Sequence, residues 1–331
     1  MPLKPILIIP GQPKSIFYEI FFKALKRKFK SPIILICDKK DCLVNAKKFA
    51  YRQVIQEISI KDLNKKIYKN KVNVINVNLN RLKNKNDQLQ NNKYYIFRCF
   101  DIAFRILKKK ITYKFINGPI NKKKFLNKNY LGFTEYITNK FNVKNTVMLI
   151  YNKKLSVVPI TTHLPIRSVS KKITSKLILR KIKVTNDFYI KKFRYKPKIA
   201  VAGLNPHCES IKTFNEDEKI LFPSIKKLKK SGIDVSGPFS ADTLFLKQNR
   251  EIYDVIVGMY HDQVLTPIKT LFEYDAINIT MGLPFLRVSP DHGPNEKMVN
   301  KNLSNSTSLY KALEFLDNNW LKQKKVLVKI F

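Results

Sequence analysis

The sequence predicts an α/β fold built on a mostly parallel sheet, and three observations lead there. Nine apolar runs of strand length recur near residues 5–9, 33–36, 72–77, 114–116, 147–150, 155–160, 199–202, 252–257 and 277–281. Longer segments with helical periodicity lie between them, for example 15–29, 93–109, 216–230 and 304–317. Unbroken apolar runs alternating with amphipathic helices are the pattern of strands buried on both faces. The third observation is the glycines. "KFINGPI", "IAVAGLNPH", "IDVSGPFSAD", "VIVGMYHDQ" and "INITMGLPF" each read as a strand feeding a tight turn. Glycine there supplies a free φ or lets a ligand approach the backbone. Ligands of open α/β sheets bind outside the carboxyl ends of the strands, so five such turns predict a composite site along that edge.

The elements follow in order. The runs at 5–9 and 33–36 frame the first helix, and 72–77 and 114–116 frame the helix at 93–109. In the second half, Asn215 with Glu218 three residues on resembles a capping box, and Ser231-Gly232 makes a stop for the same helix. The run at 252–257 leads straight into Tyr260-His261-Asp262-Gln263.

A chain of 331 residues can bury a sizeable core and suggests two domains. Its apolar stretches, such as Ile16–Leu25, are too short and too charged to span a bilayer. Met1-Pro2-Leu3-Lys4 runs into Ile6–Ile9 without the parts of a signal peptide, and Cys37, Cys42, Cys99 and Cys208 are scattered, so the expected compartment is the cytoplasm. The formal charge is +40, from 64 Lys+Arg against 24 Asp+Glu. Only ten of the basic residues are Arg, and Lys tracts such as Lys108–Lys110 and Lys122–Lys124 carry no interleaved stacking aromatics. The Lys, Asn, Ile, Phe and Tyr excess matches AT-rich codons, so compositional drift explains it better than nucleic-acid binding does.

The four histidines, His163 in "TTHLP", His207 in "LNPHCES", His261 in "YHDQ" and His292 in "PDHG", all sit at strand ends or turns. Singly, each reads first as a hydrogen-bonded structural residue. As a set, three converging imidazoles could hold a divalent metal and leave positions open for substrate. Asp242 and Asp262 could orient imidazoles or complete the coordination. There is no GxGxxG, no phosphate-loop motif and no nucleophile elbow, and Cys208 reads as a packing residue before a nucleophile.

In order, "NGPINK", "FTEYI", "TTHLPIRSVS", "GLNPH", "GPFSADTLF", "MYHDQ" and "INITMGLPFLRVSPDHG" resemble the landmarks of the 4-hydroxythreonine-4-phosphate dehydrogenase family of vitamin B6 biosynthesis. The resemblance is strongest over residues 114–293. It implies two α/β/α domains with a cleft between them, like isocitrate and isopropylmalate dehydrogenases. Approximate bounds would be 1–125 plus about 300–331 for the first domain and 126–299 for the second. A homodimer with the active site at the subunit interface is also implied. By the same resemblance His163, His207 and His261 are the metal ligands, for one divalent ion of the Zn, Mg or Co class. Thr134, Lys269, Asn278 and Arg287 are substrate contacts, the last three spaced eight, nine and nine residues on from His261. Lys269 is expected near the start of the helix that follows. Asp291, His292 and Gly293 resemble the loop that faces the adenosine of NAD or NADP.

The implied reaction oxidises the C3 hydroxyl of 4-phosphooxy-L-threonine and then decarboxylates the product, with Asp242 and Asp262 as candidate proton acceptors. Three departures stand out. The family's "GDPAGIGPE" is here "GQPKSIFYE", from Gly11 to Glu19; the histidine before the threonine contact is Phe133; and Cys208-Glu209-Ser210 replaces a glycine-rich tail. They leave room for another phosphorylated hydroxy acid, such as a threonate or erythronate phosphate.

Overall fold

The structure is a computed structural model that describes residues 3–64, 67–121, 125, 132–209 and 214–318. The Lys122–Lys124 tract, Ser210 and residues 319–331 lie outside the described residues. The chain divides into two compact units, Met1–Lys144 with Tyr274–Asp317, and Asn145–Glu273.

The first unit holds β1 (Ile6–Ile9), β2 (Ile33–Cys37), β3 (Ile55–Glu57), β4 (Val72–Asn76) and β5 (Lys114–Asn117). To these it adds β11 (Ile277–Met281) and β12 (Leu286–Pro290), in the order β3-β4-β2-β1-β5-β12-β11. Every pair is parallel except β11 with β12. Side chains alternate across a strand, and here the alternation divides two cores. Leu7, Ile9, Ile34, Ile36 and Phe115 join Tyr95, Ile96, Cys99, Phe100 and Ala103 of helix Lys85–Lys108. The intervening Ile6, Ile8, Ile33, Leu35 and Ile116 are equally buried; helix Thr307–Asp317 packs against β1, β11 and β12, and helix Phe17–Ala24 packs on that helix. Layers of helix, sheet and helix result.

The sequence reading placed 126–144 and 274–299 in the second domain. Here residues 132–144 and 274–299 group with the first, for a local reason. β12 pairs in parallel with β5, and Phe133, Tyr136 and Ile137 of helix Phe133–Lys140 join the aromatic core around Phe100.

The second unit is built on β6 (Val147–Tyr151), β7 (Ser156–Pro159), β8 (Ile199–Ala202), β9 (Val235–Phe239) and β10 (Val255–Gly258), ordered β6-β7-β10-β8-β9. β7, β10, β8 and β9 run parallel, and β6 runs against β7. Helices Ser175–Phe193 and Phe222–Lys230 pack on each other, and helix His261–Phe272 packs on β7 and β10.

All nine apolar runs form strands, β9 is the strand expected before the turn of "IDVSGPFSAD", and β3 and β12 are additions. Asn215 caps as its position suggests, its Oδ1 accepting from the Asp217 and Glu218 amides, at 2.9 and 3.4 Å. Glu218 does not complete a box, because its carboxylate takes Lys219 instead. Lys230 ends that helix, with Gly232 following at φ +79°. Gly237 lies inside β9 rather than after it, at φ +123° beside a register shift against β8.

Candidate active site

β7, β10 and β8 are neighbours and parallel, so their carboxyl ends share one edge. Each carries a histidine a few residues on: His163 after Pro159, His261 after Gly258, His207 after Ala202. Sequence separations of about fifty residues collapse into adjacent loops because two helical crossovers return the chain to the same edge. A chain of hydrogen bonds locks the three ends together. The Thr161 hydroxyl donates to the Met259 carbonyl at 2.7 Å. The Met259 amide donates to Gln263 Oε1 at 2.7 Å, and Gln263 Nε2 donates to the Gly203 carbonyl at 2.7 Å. The glutamine of "YHDQ" is thus the bridge between β10 and β8.

His163 and His261 face one another with ring centroids 5.6 Å apart and planes at 38°. Two imidazoles bound to one zinc stand with centroids about 5 Å apart, given Zn–N distances of about 2.1 Å. The spacing of the pair is close to that of two rings sharing an ion. His261 Nδ1 lies 2.7 Å from Asp262 Oδ1. A carboxylate only accepts, so Nδ1 carries the proton and Nε2 keeps its lone pair for a ligand. Such a contact is what an orienting role for Asp262 would require. His207 stands on the same edge, its Nδ1 3.4 Å from Ser240 Oγ at the end of β9. Among the described residues no group of three His, Cys, Asp or Glu side chains is clustered closely enough to hold a metal. His163 and His261 are brought face to face, and His207 lies on the same edge without joining them in such a group. Asp242 is exposed two residues beyond Ser240, its Oδ1 capping the Thr243 amide at 2.9 Å.

The loop bearing His207 is strained, with His207 at φ +54° and Cys208 at +62°. Non-glycine residues hold such angles only where the surroundings over-determine them. Asp217, 1% exposed, supplies that. Its carboxylate accepts from the Leu204 and Asn205 amides at 2.7 and 3.0 Å, and from Asn205 Nδ2 at 2.9 Å. Sequence reasoning passed over Asp217, although an Asp after an Asn cap was the available signal. Burial, reinforced by Asp217, raises the Cys208 thiol's pKa, which suits a packing residue and not a nucleophile.

The first unit holds a second set. Arg287 is 6% exposed. Its Nε donates to Asn117 Oδ1 at 2.8 Å, and its Nη1 to Thr134 Oγ1 at 2.9 Å and to Thr280 Oγ1 at 2.7 Å. Burial lowers its pKa to about 10. Asn278 pairs with Ser289 as Thr280 pairs with Arg287, so all four side chains lie on one face of the β11–β12 pair. Thr134, Asn278 and Arg287 are thereby brought together. Lys269 is in the last turn of helix His261–Phe272, not its start, because the helix begins at His261 itself. Phe133 is 5% exposed and stacks on Phe100 with centroids 5.2 Å apart, so it is a core residue.

A cavity of about 770 Å³ opens in the first unit beside "GQPKSIFYE", lined by Gly11, Gln12, Lys14, Asp41, Arg81 and Asn300 among others. Gln12, where the family pattern has Asp, donates to Glu296 at 2.9 Å and accepts the Asn121 amide at 2.7 Å. Gly11 and Gly118 press their backbones together, and a methyl on Gly118 would overlap the Pro10 carbonyl. The Ile16 amide donates to the Pro294 carbonyl at 3.2 Å, which holds the residue after Gly293 beside the stretch that supplies Ser15 and Phe17 to the cavity lining.

Comparison with known proteins agrees with this geometry. The sequence matches the family described as "Pyridoxal phosphate biosynthetic protein PdxA" over residues 29–316. A 4-hydroxythreonine-4-phosphate dehydrogenase of Sulfurihydrogenibium sp. (strain YO3AOP1) is 35% identical over 316 residues, covering 93% of this chain and 96% of that one. A D-threonate 4-phosphate dehydrogenase of Pectobacterium atrosepticum is 36% identical over 204 residues, 58% of this chain and 62% of that one. Among solved structures, the 4-hydroxythreonine-4-phosphate dehydrogenase of Klebsiella pneumoniae superposes with a TM-score of 0.80 at 28% identity, over 95% of this chain and 97% of that one. With a family match over most of its length, a full-length relative above 30% identity and the same fold, the chain belongs to the PdxA family of pyridoxal phosphate biosynthetic proteins.

Proposed function

We propose that the protein oxidises 4-phosphooxy-L-threonine at its C3 hydroxyl with NAD or NADP, followed by loss of CO₂ to give 3-amino-2-oxopropyl phosphate. The observation that carries this reading is the facing pair His163 and His261, with Asp262 holding the His261 tautomer, on the edge that also bears His207. These residues would hold a divalent ion, and imidazole donors suit Zn²⁺ or Co²⁺ better than the oxygen-seeking Mg²⁺. The chemistry supplied by the bound groups is a lowered hydroxyl pKa from the ion and a hydride acceptor in the nicotinamide.

The chain's own residues do the rest. Arg287 and the Thr134 hydroxyl bind an anionic group of the substrate, with Asn278 on the same face and Lys269 as a further contact. Asp242 and Asp262, both exposed, are the candidate proton acceptors. The cavity beside Gly11 is of ordinary ligand-pocket size. The bond from Ile16 to Pro294, between the residues that line this cavity and the end of the Asp291, His292 and Gly293 segment, supports that segment as the cofactor contact. Exposed Leu164, Ile166, Phe214 and Phe222 in the second unit support a homodimer with the site completed at the subunit interface. Among the described residues no helix is long and apolar enough to cross a membrane. The reading places the enzyme in the cytoplasm, with small molecules and not nucleic acid as its ligands.

The second reading, oxidation of a threonate or erythronate phosphate, is favoured by Phe133. Its ring is committed to the core, so the substrate's phosphate end lacks the polar group the family pattern supplies. The test is formation of reduced cofactor from 4-phosphooxy-L-threonine and from D-threonate 4-phosphate, with Zn²⁺, Co²⁺ or Mg²⁺ restored to chelator-treated protein. The amino acid should be the better substrate, and His163→Ala or His261→Ala should abolish turnover and metal retention. No reduced cofactor from either substrate would overturn both readings. Interface completion predicts that mixing inactive His207→Ala and His261→Ala chains restores part of the activity; none restored would place each site within one protomer.

A further inference from the structure

Arg287 carries a positive charge into a nearly closed site, and the three side chains it donates to are all neutral; the Glu135 carboxylate, near enough to favour the charged form, is not among them. Their placement follows from the sheet. Thr280 lies directly opposite Arg287 on antiparallel β11. Phe115 lies beside Arg287 on β5, and Asn117 is two residues further along on the same face. Buried cations ordinarily take a carboxylate partner, and leaving one without is costly. Here Asn117 and Thr280 give geometry and leave the charge intact. Nη2 donates to none of the described residues. The Thr134 hydroxyl accepts from Nη1, so its own proton remains to be donated elsewhere.

We propose that Asn117 and Thr280 are positioning residues that hold Arg287 so that its Nη2 edge, its full charge and the Thr134 hydroxyl are presented together to an oxyanion of the substrate. The inference rests on reading Arg287 as an anion contact. Asn117 is the deciding residue, since an isosteric carboxylate would orient the guanidinium equally well but neutralise it. Either the substrate's phosphate or its carboxylate carries the required chemistry.

The test is Asn117→Asp in the full-length protein, with inorganic phosphate and acetate titrated separately by calorimetry alongside thermal unfolding. The expected result is a melting temperature at or above wild type with phosphate binding weakened about tenfold or more, because the pair now satisfies itself. In turnover, KM should rise far more than kcat falls. Thr280→Ser should behave as wild type, and Thr280→Val should lose affinity, which controls for a variant that merely folds poorly. Tighter binding of acetate than of phosphate would assign the subsite to the substrate's carboxylate and support the same positioning role. If wild type binds neither anion, the anion assignment of Arg287 fails. If wild type binds and Asn117→Asp binds equally well, or loses stability and binding together, the positioning role is overturned.

Discussion

Lys181 is a second buried cation, 9% exposed, with its Nζ on the Pro159 carbonyl at 3.2 Å where β7 ends. Burial, with Arg180 nearby, lowers its pKa from 10.5 to about 8. The unfolded chain keeps this proton up to its ordinary pKa, while the folded chain releases it near 8. Between those values the unfolded state binds more protons, so this residue makes stability rise with pH from about 8 to about 10.5. Lys181→Met removes the penalty. It should raise unfolding free energy at pH 7 by roughly 1–3 kcal/mol and flatten the alkaline rise, as measured by urea titration at several pH values. Arg287 differs in having no carboxylate among its hydrogen-bond partners, although the charge of Glu135 reaches it. Of the residues discussed, His163, His261 and Arg287 were legible because their surrounding motifs are long and specific. Asp217, Asn117, Thr280 and Lys181 were not, because their importance lies in what they touch, at separations up to 170 residues.

At the scale of elements, the strands that sequence reasoning missed are instructive. β12 is "LRVSP", and its apolar run is broken by Arg287 itself. β9, "VSGPF", was legible only through its glycine turn, because Gly237 and Pro238 break its apolar run. A buried functional or turn residue interrupts the hydrophobic signal that marks a strand. β3 is a partly exposed edge strand with little such signal to begin with. Helix Phe17–Ala24 is shorter than the 15–29 expected, stopping at Leu25 where its apolar face ends. The loop after β8 depends on one buried carboxylate. Asp217→Asn keeps a single acceptor where two amides converge. It should cost about 1–3 kcal/mol in urea unfolding, and on the reading of His207 as a ligand it should weaken Co²⁺ binding in parallel. Unchanged stability would show that the strained His207–Cys208 backbone is held by something other than Asp217.

At the scale of the molecule, the charge of +40 is borne by residues spread through every segment of the chain. Few carboxylates are available to offset it, and most of the ion pairs are partly exposed, Glu19 with Lys23 being a more buried exception. Self-repulsion of that size destabilises the compact state and is screened by salt over a Debye length of about 10 Å at 0.1 M. Melting temperature should therefore rise by several degrees as KCl is raised from low to roughly physiological strength, measured by scanning calorimetry. A fall would mean that the attractive surface pairs outweigh the repulsion. By itself the sequence determined the α/β class, nine of the strands, the helical crossovers and the family, because burial on both faces writes itself as apolar runs and the motifs are locally specific. Only the tertiary structure decided that residues 132–144 and 274–299 group with the first unit, that Phe133 is core, and that the hydrogen-bond partners of Arg287 are neutral. Those depend on which strands become neighbours and which faces their side chains share, and that pairing is settled by long-range packing that no local run of residues encodes.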